Sequence, residues 1–316
     1  MVARVAACLL VATLACAAGG ARADARPAWA RAGHVAAVPV REDGGEVDRM
    51  QVTWFLPPGP GPFPAVVFSH GREPSPEGRA ELAVGVSRAQ VMFWLARGVA
   101  VVSPVRPGYG ASTGRDLEAA DLDFDADGRC VGQADFRKTA DAAVRSVDAT
   151  LRWLRRQRWA DASAVLLVGQ SAGGLATVAA GARDLPGVVG YVNFAGGTGG
   201  NPERSPGASC DPGQLEALYA SYGRATTVPN LWVYATNDQF WGAAAPRDWH
   251  AAFARGGSPS TFVQAAAVPG GDGHGLSAHA PALWAPAVDA FLAQFGFPWN
   301  AATASRPVLR LDAGGL

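Results

Sequence analysis

The sequence predicts an α/β architecture: a mostly parallel central sheet with helices on both faces, entered through an N-terminal antiparallel hairpin. Three observations predict it. Short apolar runs of strand length alternate with longer helical stretches along most of the chain. Near the start, "GHVAAVPV" and "EVDRMQVTWFLP" bracket the turn Asp43-Gly44-Gly45. Apolar residues make up 49% of the 316 residues and charged residues only 17%, enough apolar side chain to bury a large core.

The elements follow in order. "MVARVAACLLVATLACAAGGARADARP" has a basic start at Arg4, an apolar run from Val5 to Ala18, and small residues ending in Ala21-Arg22-Ala23. It reads as a signal peptide, residues 1–23, cleaved near Ala23 and exporting the chain to the periplasm or the exterior. The apolar run is shorter than the roughly 20 residues of a spanning helix, so no stable membrane anchor is expected. Residues 24–316 read as one α/β domain. The hairpin ends at the proline-rich "PPGPGPFP". Then come a strand at "AVVFSHG", a helix near Glu81 to Arg97, a strand at "VAVVSP", a helix near Asp135 to Gln157, and a strand at "AVLLVG" with its own helix. The rhythm continues through "VVGYVNFAG", "NLWVYA", a helix near Pro246 to Arg255, "STFVQAAAV", and a last helix near Ala282 to Phe295. Runs this continuously apolar suit strands covered on both faces.

Two long loops interrupt the rhythm, near 106–132 and 196–229, and each follows a strand. In an open parallel sheet such loops emerge at the carboxyl edge, where ligands bind. Cys130 lies in the first and Cys210 in the second; once the leader takes Cys8 and Cys16 away, they are the remaining cysteines. In an oxidising compartment they are expected to form one disulfide across the two loops. The formal net charge is zero and no basic run occurs, so no nucleic-acid partner is expected. The sequence specifies no oligomeric state.

The chemistry centres on Gly169-Gln170-Ser171-Ala172-Gly173, a G-x-S-x-G pattern between an apolar strand and an alanine-rich helix. A strand turning directly into a helix strains the backbone at the serine, and small residues two before and two after let the turn close. A serine hydroxyl needs a base. His274, in the glycine-rich "VPGGDGHGLS" after the last strand, is the candidate, with His279 the alternative. His34 and His250 read as strand and helix residues, and His70 as part of the loop after the first core strand. The base needs a carboxylate to hold its tautomer; Asp238 in "LWVYATNDQFWG" follows a strand and lies between Ser171 and His274 in the chain. Asp272 reads as a turn residue, too near His274 to reach its far ring nitrogen. An oxyanion would need two N–H donors. The expected ones are the backbone N–H of Ala172, at the start of the helix, and that of Arg72, in Phe68-Ser69-His70-Gly71-Arg72, leaving the Arg72 side chain free for another role.

Together "FSHGR", "RPGYGASTG", "GQSAGG", "YATNDQ" and "GDGHG" resemble the α/β-hydrolase superfamily, and their spacing is most similar to its dienelactone-hydrolase-like branch, over about Pro57 to Phe297. The resemblance implies an α/β-hydrolase fold and acyl transfer to water through a Ser-Asp-His triad, with a small-molecule carboxylic ester as substrate. Dienelactone hydrolases use a cysteine nucleophile where this chain has Ser171, so lactone specificity does not carry over. Two other functions compete: a peptidase of the same fold, which usually carries an access-restricting domain not evident here, and an inactive hydrolase fold used for binding.

Trp241, three residues after Asp238, and Tyr109 are candidate substrate-pocket residues. Gly108-Tyr109-Gly110 with Gly114 mimics a dinucleotide loop, but Pro104 and Pro107 interrupt it and no helix begins at Gly114, so no cofactor is expected. Asp123-Phe124-Asp125-Ala126-Asp127-Gly128 mimics half a calcium loop; its twelfth position is Ala134 rather than glutamate, and no H-E-x-x-H or paired C-x-x-C occurs, so no metal is expected.

Overall fold

The computed structural model describes residues 24–119, 122–127 and 130–299, so the signal-peptide reading lies outside the described residues. After a 3₁₀ turn at Ala28–Ala32, β1 (His34–Arg41) and β2 (Val47–Phe55) form the expected antiparallel hairpin, in register from His34↔Trp54 to Arg41↔Val47. Strand β3 (Phe63–Ser69) follows, then α1 (Pro76–Glu81), α2 (Arg88–Leu95) and β4 (Ala100–Val105). The helix expected near 81–97 is therefore only α2, and a separate short helix, α1, ends where it was expected to begin. The reason is a second start signal: Ser87 accepts a hydrogen bond from the Gln90 N–H and caps a new helix, as Ser75 does for α1 through Gly78.

A small hairpin of β5 (Leu122–Phe124) and β6 (Cys130–Gly132) occupies the first expected loop. Next come α3 (Phe136–Leu154), β7 (Ala160–Gln170), α4 (Ala172–Gly181) and β8 (Val188–Phe194). Helix α3 buries Phe136, Ala140, Val144, Val147, Leu151 and Leu154, a stripe at helical spacing. The second expected loop also holds structure: β9 (Gly200–Asn201), β10 (Ser205–Ser209) and α5 (Pro212–Gly223). Asp211 caps α5 by accepting from Gln214 N–H, Pro212 opens its first turn, and Leu215, Leu218, Tyr219 and Tyr222 are its buried face. The chain ends with β11 (Asn230–Ala235), α6 (Ala245–Ala254), β12 (Ser260–Ala265), a 3₁₀ turn at Gly273–Gly275, α7 (Leu276–His279) and α8 (Pro281–Phe295).

Eight strands form one sheet in the order β1-β2-β4-β3-β7-β8-β11-β12, with β2 antiparallel to both neighbours and the rest parallel. Strands β4 and β11 are buried along their whole length, which is why they are mostly apolar, with Ser103 and Asn230 as their buried polar residues. The helices pack in two groups on the two faces, α2 with α7 and α8, and α3 with α4, α5 and α6 in succession. The direction of winding reverses between β3 and β7, whose last residues pair as Ser69↔Gly169. Such a switch point opens a crevice at the carboxyl ends of its two strands. The segments that leave it are His70-Gly71-Arg72 and Gln170-Ser171-Ala172.

Among the described residues no helix is long and apolar enough to cross a membrane.

Candidate active site

Ser171 is held by the sharpest turn in this crevice. Its backbone has φ 58° and ψ −127°, a region that a side-chain-bearing residue rarely occupies. The turn is anchored by the Ser171 N–H donating to Phe194 O at 3.0 Å, while Ser171 O accepts from Leu175 and Gly197. The flanking glycines are required by close approach. A Cβ at Gly169 would run into the carbonyl of Gly173, and one at Gly173 would run into the carbonyls of Ser69 and His70. Backbone at these points cannot give way.

His274 arrives from the turn after β12. Its ring Nδ1 lies 3.2 and 3.1 Å from the two carboxylate oxygens of Asp238, so Nδ1–H donates to the carboxylate. Asp238 is buried, and its Oδ1 also accepts from the N–H groups of Phe240 and Trp241, at 2.8 and 3.1 Å. The Phe240 ring stacks on the imidazole at 4.0 Å between centroids, and Trp241 meets its edge at 5.5 Å. The Gln170 side chain, one residue before Ser171, donates to His274 O at 3.1 Å and ties the histidine turn to the serine turn.

Asp272 has a larger part than a turn residue. One of its oxygens accepts from His274 N–H at 2.8 Å and from Gln239 N–H at 2.9 Å, joining the segment that carries the carboxylate to the segment that carries the imidazole. His279, the alternative base, lies in α7 beside Gly275 and makes no contact with Asp238. His34 stacks on Trp54, and His250 packs between Trp232 and Phe262.

A cavity of about 640 Å³ opens over these turns, with Ser171, Ala172, Arg72, Phe240 and Trp241 in its wall. Two sequence expectations need correction. Tyr109 does not line it: the ring is fully buried behind the loop after β3, edge-on to His70 at 4.8 Å, because the tight turn after β4 folds it inward. The Arg72 side chain is not free, since its Nη2 pairs with Asp116 at 2.8 Å. Trp241 reaches the cavity with one face while its Nε1–H donates to Ala195 O at 2.7 Å. Cys130 and Cys210 are joined by a disulfide, with Cα atoms 5.3 Å apart, on the same side as the cavity.

Sequence reasoning missed a buried pair beneath the loop after β3. Arg106, the residue directly after the wholly buried β4, meets Glu118 through Nε and, at 2.9 Å, through Nη2. Burial, the largest single influence, opposes the charge on Arg106, but Glu118 and Tyr109 together outweigh it and hold the guanidinium above its ordinary pKa. His70 beside it is held well below the ordinary 6.5 by burial and by the Arg106 charge, and is neutral. A charge placed at the end of a buried strand was the available signal; its partner, twelve residues on, was not legible. Among the described residues no group of three or more His, Cys, Asp or Glu could hold a metal ion.

The fold has counterparts among solved structures. An esterase of Pyrococcus furiosus superposes with a TM-score of 0.53 at 13% identity, over 84% of this chain and 91% of its own. The chain has the α/β-hydrolase fold. Est1E of Butyrivibrio proteoclasticus, solved with ferulic acid bound, superposes with a TM-score of 0.52 at 17% identity, over 82% of this chain and 98% of its own. A puromycin-hydrolysing peptidase of Mycobacterium tuberculosis gives 0.52 at 17% identity, over 84% of this chain and 40% of its own. No protein-family model matches the chain, and no curated protein sequence matches it.

Proposed function

We propose that the protein is an exported serine hydrolase that cleaves carboxylic esters through an acyl-enzyme on Ser171. The observation that carries this reading is the buried Asp238–His274 pair, tied through the Gln170 side chain to a serine held in a strained strand-to-helix turn. His274 Nε2 takes the Ser171 proton as Oγ adds to the ester carbonyl carbon, and the negative charge moves to the carbonyl oxygen. The N–H of Ala172, unpartnered within its helix as every first-turn N–H is, and that of Arg72 receive this oxygen. Collapse of the adduct breaks the bond to the alkoxide, which leaves as the alcohol with the proton held by His274. Water then adds to the acyl-enzyme, its proton passing to His274 and on to Ser171 Oγ, and the acid departs. Asp238 orients the imidazole and stabilises its charged form.

Phe124, Phe240 and Trp241 offer an apolar wall for the acyl or aryl group, while Glu73, Asp123 and Glu203 line the same cavity and Arg72 is occupied by Asp116. Neutral esters are therefore favoured over esters of dicarboxylic acids. This departs from the dienelactone-hydrolase-like branch that the motifs resemble. Export through cleavage near Ala23 accords with the Cys130–Cys210 bond.

A fluorophosphonate probe tests the reading. The wild-type protein should be labelled and should turn over aryl esters, with both signals absent in Ser171→Ala and ester turnover lost in His274→Ala. Labelling that survives in Ser171→Ala overturns it, and so does activity that survives His274→Ala but not His279→Ala. N-terminal sequencing of the exported protein should begin close to Asp24.

A further inference from the structure

We propose that Arg106, backed by Glu118 and His70, is a positioning residue that aims the Arg72 N–H at the oxyanion; the proposal rests on the serine-hydrolase reading. The loop between β3 and α1 is not part of a sheet or a helix, so its peptide planes must be oriented by something else. Three hydrogen bonds do it. Arg106 Nη1 donates to His70 O at 2.6 Å and Arg106 Nη2 donates to Gly71 O at 3.1 Å. The His70 ring adds a third to Gly71 O, from Nδ1 at 2.7 Å. The tautomer is settled by the other ring nitrogen, which accepts from the Arg106 backbone N–H at 3.2 Å, leaving the proton on Nδ1.

A trans peptide points its C=O and N–H in opposite directions. Gly71 O and Arg72 N belong to one such unit, and the carbonyl is drawn by two donors into the protein, toward buried Arg106 and His70. Its N–H is thereby turned the other way, to the side where Gly71 stands against Ser171: a Cβ on Gly71 would lie 3.2 Å from the serine Cβ. A planar fork is needed to reach successive carbonyls, which is why arginine and not lysine suits the position. Glu118 supplies the countercharge that lets a guanidinium lie buried there, and its own position is fixed by Thr139 Oγ1 donating to Glu118 O at 2.8 Å and by Asp116 accepting from Glu118 N–H at 2.9 Å.

The test is Arg106→Lys, measured per active site after fluorophosphonate titration on an aryl ester and on its thionoester, in which sulfur replaces the carbonyl oxygen. A thiolate-like sulfur accepts hydrogen bonds poorly, so the ester-to-thionoester rate ratio reports the donors and not the amount of folded enzyme. Arg106→Lys should lower kcat on the ester by about 10- to 100-fold with KM little changed, and should shrink the ratio by a similar factor. If the lysine variant does not fold, His70→Asn, which removes one donor to Gly71 O together with the acceptor of the Arg106 N–H, should shrink the ratio about 3- to 10-fold on the same scale. An unchanged ratio in whichever variant folds overturns the positioning role, whatever happens to kcat. Wild-type protein that is not labelled at Ser171 overturns instead the serine-hydrolase reading beneath it.

Discussion

A β-carbon at φ 58° and ψ −127° is crowded by its own backbone, at a cost on the order of 1–3 kcal/mol, and Ser171 bears that cost. Glycine would relieve it. Ser171→Gly and Ser171→Ala should both be inactive, yet thermal melting should find the glycine variant the more stable by about 1 kcal/mol, the difference between a residue that tolerates this region and one that does not. Equal melting temperatures would show that the turn is not strained. Asp272 gives a second prediction at this scale. Asp272→Ala removes the shared acceptor of the Gln239 and His274 N–H groups, so kcat should fall about tenfold with KM nearly unchanged, measured on a neutral aryl ester. The candidate serine, carboxylate and imidazole stand out in the chain because each sits in a setting the proposed chemistry demands: a strand-to-helix turn, the end of a strand, a glycine-rich loop. Asp272 and Arg106 could not, because an acceptor shared by two segments, or a guanidinium reaching 35 residues back, exists only once the sheet is formed.

At the scale of elements, the long apolar runs and the amphipathic helices were legible, and the short pieces were not. Hairpin β5–β6 and the pair β9–β10 have strands of two to five residues, too few for any alternation to stand out. Helix α5 was missed although Asp211-Pro212 opens it with a strong start signal and Leu215, Leu218, Tyr219 and Tyr222 repeat at helical spacing; it stands within the long stretch read as loop between two strands. These small elements carry the cavity rim: Asp123 and Phe124 come from β5, Gly200 and Asn201 from β9, and Pro202 and Glu203 from the turn between β9 and β10. The Cys130–Cys210 bond fastens β6 to the segment between β10 and α5, and so holds one half of the rim to the other. It closes a loop spanning 80 positions, worth about 4 kcal/mol of destabilised unfolded chain in the entropy model. Cys130→Ser should therefore lower the melting temperature by several degrees and raise KM more than it lowers kcat. A variant with lowered kcat and unchanged KM would place the bond's influence on the reacting groups instead of the rim.

Across the whole molecule, one fact of topology places every candidate group: the sheet reverses its winding between β3 and β7, so the segments after β3, β7, β11 and β12 meet at one edge. Alternation of strands and helices announces a parallel sheet, but strand order is decided by crossovers and cannot be read from local pattern. The same packing keeps two histidines neutral, buried His70 and half-buried His250, and this predicts how the fold responds to acid. His70 is held well below 6.5 by burial and by the Arg106 charge; His250, between Trp232 and Phe262, is lowered to about 4 by burial. In the unfolded chain both take a proton near 6.5. As pH falls from 6.5 toward about 4, the unfolded state therefore binds more protons than the folded state, and stability is lost in that window, while above it the two histidines contribute no pH dependence. Urea unfolding followed across this range should show His250→Leu taking up about one proton fewer than wild type on unfolding. His70→Asn should show a similar deficit. Because carboxylates titrate alike in wild type and variants, the difference isolates the imidazole. An unfolding free energy with the same pH slope in His250→Leu as in wild type would mean that His250 is protonated in the folded protein and that α6 opens to admit water beside Trp232.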